Sequence, residues 1–388
     1  MKISRKSFRA VVIQRLRSRC KLASLVSCLY YKWDKEKNQI VKESASVIIN
    51  VRVFLLVTTI YLMAQLGSIG LTEMGIQEKT QACFLLMVYA ACVGMWWDWE
   101  VDPTAEALVN LIANSEVEEN RTTLILTRVL HIFYAMMHLT YFVLPLGFAA
   151  LVFFAPCTAP LIGSIMLPRS SPYCSTFTTN LTLPQILVRL NLAVTDGLLL
   201  SKCFIGGTFY NMDVLLTGIA FLVLECDIAA NCENPKLTVY RKLQVLEKIL
   251  NAAVKTRVLP TNSFVLPVLQ IASCFALVKL HDQLDFSELP IYVVVYVDVV
   301  VFNTLTFTGA ARVYILGDNL LRRLWEKIRG GRKGNSRGKR MMLKSFRRLR
   351  VEFGNNFVDR LTPLVLQDFC AKQSISMLVV SSAAKKAF

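Results

Sequence analysis

Histidine is nearly missing from this chain, with three residues in 388, and the eleven cysteines include no Cys-x-x-Cys pair. None of those cysteines stands at metal-ligand spacing from a histidine, so zinc ribbons, zinc hydrolases and thioredoxin-type redox centres are excluded. No glycine-rich phosphate loop and no nucleophile–base set is present either. The expectation is a protein that is not an enzyme, with no cofactor and no metal site. Acidic residues are also scarce: 27 Asp and Glu stand against 44 Lys and Arg, for a net charge of +17. On a soluble domain that excess would point to nucleic acid. Here the charge lies between long apolar runs, so no nucleic-acid partner is expected and a lipid bilayer is.

What is abundant is apolar sequence. Hydrophobic residues make up 54% of the chain and the mean hydropathy is +0.46. They are gathered into runs long enough to cross a bilayer as helices. Six runs, near 47–66, 82–97, 128–156, 186–228, 263–281 and 289–316, are read as spans, and a shorter, more polar run near 365–383 as the last. The run 186–228 contains Arg189, Asp196, Lys202 and Asp213 and is about twice the length of a span. Parity decides how to count it. The arm 1–46 and the segment after residue 317 are both strongly basic, so both are expected on the cytosolic side. An even number of spans must then separate them, and 186–228 is one long helix that projects beyond the membrane. With the N-terminus inside, 33 Lys/Arg fall in cytosolic segments and 4 in outer ones.

The fold class read from these patterns is all-α: a polytopic membrane protein of seven transmembrane helices, with helices extending below the membrane. Residues 1–46 form a basic cytosolic arm near an anionic leaflet, and 47–388 form the transmembrane domain. Two amphipathic cytosolic helices are expected, at 236–259 and 340–362. The first carries Val239, Leu243, Leu246, Leu250 and Ala253 as an apolar seam. The second carries Met342, Phe346, Leu349, Phe353 and Phe357.

Several polar groups within the apolar runs are candidates for function, each with a structural alternative. Gln373, Ser374, Ser376, Ser381 and Ser382 make the last run wet. They either line an aqueous pore or hydrogen-bond to neighbouring helices. His131, Tyr134, His138 and Tyr141 recur at helical spacing, and Tyr134, His138 and Tyr141 are ligand-pocket candidates together with Asp298. The alternative is a bundle interface with satisfied hydrogen bonds. Asp196, Lys202, Asp213, Asp298 and Arg312 are expensive inside a membrane unless paired or wet. Outside it, Asn180-Leu181-Thr182 is a glycosylation acceptor sequence, and a Cys157–Cys174 disulfide is open to the outer loop.

Seven spans with an inside N-terminus, a short tail after the last span and helices below the membrane resemble the arthropod chemoreceptor superfamily of odorant and gustatory receptors. VYRKLQVLEKILN (239–251) and FRRLRVEFGNNFVDRLTPLVLQDF (346–369) look like the corresponding cytosolic segments of divergent members. The gustatory receptors' Thr-Tyr…Gln signature is not present in the last span. The resemblance implies a plasma-membrane chemosensory receptor. It would be a ligand-gated, non-selective cation channel formed by a homo- or hetero-tetramer, with a small molecule bound among the outer helix halves and the last span lining the pore. A small-solute transporter and a non-conducting seven-span receptor or scaffold are the alternatives.

Overall fold

The structure is a computed structural model that describes residues 7–115, 120–168, 171–174, 182–232, 236–281, 289–330 and 336–387. The N-terminal segment is the first departure from the sequence reading. Helix α1 (Phe8–Val26) is capped by Ser7, whose side chain accepts from Ala10 N, and it ends at Ser27 in the left-handed region, φ 49°. Its Phe8, Val11, Val12, Leu16, Cys20 and Ala23 form a buried stripe that belongs to the main core. The segment is therefore a helix packed into the main core, with Arg17 and Lys21 exposed and Arg19 buried. A hairpin follows, β1 (Tyr31–Asp34) against β2 (Gln39–Lys42).

Helices α2 (Ala45–Leu71) and α3 (Ile76–Trp96) come next, then the short amphipathic α4 (Pro103–Asn114), which is started by Asp102 and Pro103. Asn110 of α4 clamps the hairpin: its amide accepts from Ile40 N at 2.8 Å and donates to Ile40 O at 2.9 Å. Helix α5 (Arg121–Phe154) continues through Pro145, and its N-cap is Asn120, which accepts from Thr123 N. The loop after it holds the short α6 (Ile162–Met166), and Cys157 and Cys174 are joined there with Cα atoms 5.4 Å apart. Asn180 lies outside the described residues.

The 186–228 region is one rod. Helix α7 (Leu183–Thr208) passes into a π-helical segment, Phe209–Leu216, and then into α8 (Thr217–Asn231) without a break. At 1.5 Å per residue the rod is roughly 70 Å long. Helix α9 (Leu237–Val254) returns toward α10 (Val258–Lys279), and α11 (Leu289–Gly330) is a second long rod of 42 residues, about 63 Å. Both rods exceed a hydrocarbon layer of about 30 Å and must project beyond it. Five of the described helices are long and apolar enough to cross a bilayer: α2, α3, α5, α10 and α11. The helices start at or up to seven residues before the sequence-read spans; α3, α5 and α10 end one or two residues short of them, and α11 runs 14 residues past.

The expected helix 340–362 is not one. Helix α12 (Ser336–Lys344) stops, residues 346–351 are extended, and β3 (Glu352–Phe353) pairs with β4 (Asn356–Phe357) in a tight hairpin. The reason is that α9 supplies this stretch with side-chain partners that replace helical hydrogen bonds. Tyr240 Oη and Gln244 Nε2 donate to Arg347 O, at 2.8 and 3.1 Å. Asn251 donates to Arg350 O at 3.0 Å and accepts from Glu352 N at 2.9 Å. Leu349 and Val351 then bury beneath the segment while Phe357 stays exposed. On α9, Leu243, Leu246, Leu250 and Ala253 are buried as read, but Val239 is exposed. The last helix is α13 (Thr362–Ala387). One core runs through the whole assembly, from Phe8 to Val358.

Candidate functional site

Two adjacent glycines bring the rod against α3. A Cβ on Gly206 would sit 2.6 Å from the Trp96 ring, and one on Gly207 would sit 2.8 Å from Cys92 O. No other residue allows that approach, and it occurs where the π-helical segment begins. The wider turn there is held by side chains. Thr217 Oγ1 donates to Met212 O at 2.7 Å, and Tyr134 Oη bonds to both Met212 O and Thr217 Oγ1. Asn211 accepts from Asn262 Nδ2 of α10 at 2.8 Å. The π-helical turn therefore ties α5, α10 and the rod together.

Beside this joint is a chamber of about 80 Å³, walled by α3, α5, the rod, α10 and α11 and partly open. Its walls are mostly apolar, including Met95, Met137, Leu144, Phe204, Leu269 and Phe302. Asp298, Thr140, Thr208 and Asn211 are its polar groups, with Thr140 standing beside Asp298. An apolar chamber with a few converging polar groups suits a small, mainly hydrophobic molecule bearing one hydroxyl or amine.

Of the four sequence-read pocket candidates, only Asp298 lines the chamber. Tyr134 is buried, but it supports the π-helical turn. Tyr141 accepts a hydrogen bond from Arg19 and packs edge-on to Phe204, centroids 5.4 Å apart. His138 is exposed on the outer surface of α5, edge-on to Tyr141 and Phe142. These residues share a helix flank, and that flank straddles the boundary between core and surface, so the spacing does not bring them to one cavity. Thr140 and Asn211 were not singled out from the sequence. A lone Asn in an apolar run was the available signal for the second.

The remaining charges within the runs are placed by partners. Asp196 is buried beneath the α6 loop and accepts from Tyr61 at 3.1 Å and from Tyr89. Asp213 pairs with Arg19. Lys202 lies over the Phe54 ring at 4.6 Å. Arg312 reaches Asp227 at 3.9 Å.

A polar chain leads from the chamber wall to α13. Leu269 and Phe302 face the chamber, and their sequence neighbours Gln270 and Asn303 turn away from it. Asn303 Nδ2 donates to Gln270 Oε1 at 3.4 Å, and Gln270 Nε2 donates to Gln367 Oε1 of α13 at 3.0 Å. On α13 itself, Leu366, Gln367, Cys370, Ser374 and Leu378 form the face turned toward the bundle, while Gln373 and Ser376 are exposed. Ser374, one of the sequence-read pore candidates, is 8% exposed and covered by its own chain. The side chains of Ser381 and Ser382 lie outside the described ones. Asp368 and Lys372 pair at 2.7 Å near the start of the helix.

No protein-family model matches the chain, and no curated protein matches it by sequence. Two solved structures share its fold over nearly the whole length. The insect olfactory receptor OR5 from Machilis hrabei in complex with eugenol superposes with a TM-score of 0.64 at 12% identity, covering 95% of this chain and 99% of that one. A second structure of the insect olfactory receptor OR5 from Machilis hrabei gives a TM-score of 0.59 at 12% identity over the same shares. The chain thus has the fold of insect olfactory receptors, a mostly helical, multi-span membrane architecture.

Proposed function

We propose that this protein is a chemosensory receptor that works as a ligand-gated, non-selective cation channel in the plasma membrane. The observation that carries the reading is the partly open chamber around Asp298, lined by five elements of a fold shared over 95% of the chain with a receptor solved with eugenol. The rod α7–α8 and α13 add two spans to the five apolar ones, which makes seven. The basic N- and C-terminal segments put the N-terminus in the cytosol and the C-terminus outside. Asn180 is the glycosylated residue of the outer loop, next to the Cys157–Cys174 bridge. Four copies, identical or mixed, surround a pore lined by Gln373 and Ser376 and by Ser381 and Ser382 beyond them. Ligand in the chamber favours the state in which the α13 helices separate, because Gln270 and Asn303 link its wall to Gln367.

The test is whole-cell current during application of a panel of small, mainly hydrophobic molecules with one polar group. Wild type conducts on addition of an active ligand. Asp298→Leu shifts or abolishes the response without changing surface expression. A glycosidase-sensitive band lost in Asn180→Gln checks the orientation. Surface-expressed protein that carries no current with any ligand overturns the reading in favour of a non-conducting receptor.

A further inference from the structure

A second and larger cavity, of about 300 Å³, lies away from the Asp298 chamber. It is a cleft between α5 and α11, floored by Ile219 and Val223 of α8. Its α5 wall is Ile125 and Val129, which are 53% and 37% exposed, so the cleft opens sideways at the outer surface of the bundle. The α11 wall carries Thr304, Thr308 and Arg312. Thr304 Oγ1 donates to its own helix, at Val300 O. Little is left inside to hydrogen-bond a polar guest, and the lining suits hydrocarbon.

Both walls belong to helices apolar enough to cross a bilayer, so the cleft opens toward lipid. Its depth can be read along α11, which starts at Leu289. Thr304 lies about 22 Å and Arg312 about 35 Å along that helix, against a hydrocarbon thickness of about 30 Å. The aliphatic part therefore sits in the last third of the hydrocarbon layer and the guanidinium just past its boundary. Arg312 is about half exposed, and the pair with Asp227, at 3.9 Å, is the loosest kind of ion pair. Its five donors in a planar fork match a phosphate.

We propose that this cleft binds an anionic phospholipid, with one acyl chain between α5 and α11 and its phosphate on Arg312. The lipid comes from the leaflet at the α9 end, the cytosolic one in the orientation proposed above. The site does not depend on α13 lining a pore. It shares α11 with the chamber, since Thr304 directly follows the Phe302–Asn303 pair. An occupant therefore braces the helix that a chamber ligand would contact.

The test uses the purified full chain in a neutral detergent, titrated with dioctanoyl phosphatidylglycerol or dioctanoyl phosphatidylcholine. The readout is the rise in the thermal midpoint followed by tryptophan fluorescence, taken against each variant's own lipid-free midpoint. One arginine–lipid contact near the surface corresponds to about a fivefold difference in half-saturating concentration. Wild type is expected to respond to the anionic lipid at about fivefold lower concentration than to the zwitterionic one. Arg312→Gln removes that preference, while Arg340→Gln, an exposed cation on α12, keeps it. Thr308→Trp fills the cleft and weakens the response to both lipids. Equal responses to the two lipids in wild type, a preference that survives in Arg312→Gln or falls equally in Arg340→Gln, or an unchanged Thr308→Trp would overturn the proposal.

Discussion

Arg19 Nε lies 3.0 Å from Asp213 Oδ2, and the two side chains are 7% and 3% exposed. One comes from the N-terminal helix and the other from the π-helical segment of the central rod. The pair fastens α1 to the middle of the bundle, with Tyr141 as a further partner of the arginine. Breaking a buried pair by removing one member leaves an uncompensated charge and costs about 3–5 kcal/mol, whereas replacing both by apolar residues costs far less. Arg19→Met and Asp213→Leu are each expected to lower the thermal midpoint and the monodisperse yield sharply. The double variant should recover most of the loss. Additive losses in the double-mutant cycle would show that the two residues act independently.

Asn251 holds both a carbonyl and an amide of the extended segment, at Arg350 O and Glu352 N. Asn251→Ala strands two buried backbone groups, each worth about 1–3 kcal/mol. The expected result is faster hydrogen exchange confined to 346–358, with the apolar spans unchanged. Uniform exchange across the chain would show that the segment is not a local unit.

Partial burial alone lifts the Glu352 carboxyl, but hydrogen bonds from Lys255 at 2.8 Å and Arg350 at 2.9 Å outweigh it and hold the group below the usual range. A depressed carboxylate stabilises the fold fully above its unfolded value of about 4.3, and the contribution is lost as pH falls through the lower folded value. Glu247 in the same cluster is raised by burial, against the pull of Arg347, so its slope has the opposite sign. Comparison of wild type with Glu352→Gln isolates the first effect. The wild-type midpoint should fall more steeply than the variant's below about pH 4. Parallel curves would count against the assignment.

A cysteine scan of α13 with a water-soluble thiol reagent tests the proposed pore face. Gln373→Cys and Ser376→Cys should react and reduce current. Ser374→Cys, turned into its own bundle, should stay silent. Reaction at Ser374 with none at Gln373 would place the helix the other way round.

The long apolar helices were legible because length and hydropathy are additive along a chain. The rod 183–231 was harder, since its charges argue for two helices and the count of basic segments for one. The N-terminal helix was not read as such, although Phe8, Val11, Val12, Leu16 and Cys20 have helical spacing. Twelve basic residues in the first 46 pointed to a surface arm, and the partner that makes Arg19 a core residue lies almost two hundred positions away. The helix drawn over 340–362 failed for a related reason: Phe346, Leu349, Phe353 and Phe357 keep a helical period, but Tyr240, Gln244 and Asn251 offer the backbone another set of bonds. In the chamber, Asp298 stood out as a charge in an apolar run. Thr140 carries no such signal and becomes visible only when five separated elements converge, while Asn211 stands out only as a lone Asn in an apolar run.

Helix α13 touches its own chain along a single narrow strip, and Leu364, Val365, Ile375, Val379 and Val380 are each at least 60% exposed, as Gln373 and Ser376 are also uncovered. Oily and wettable side chains thus alternate around the uncovered part of one cylinder. Neither lipid nor water suits all of it, which is what a helix shared between copies in the proposed tetramer would present. In a closed ring each such helix would be flanked by its equivalents and would meet water on one edge only.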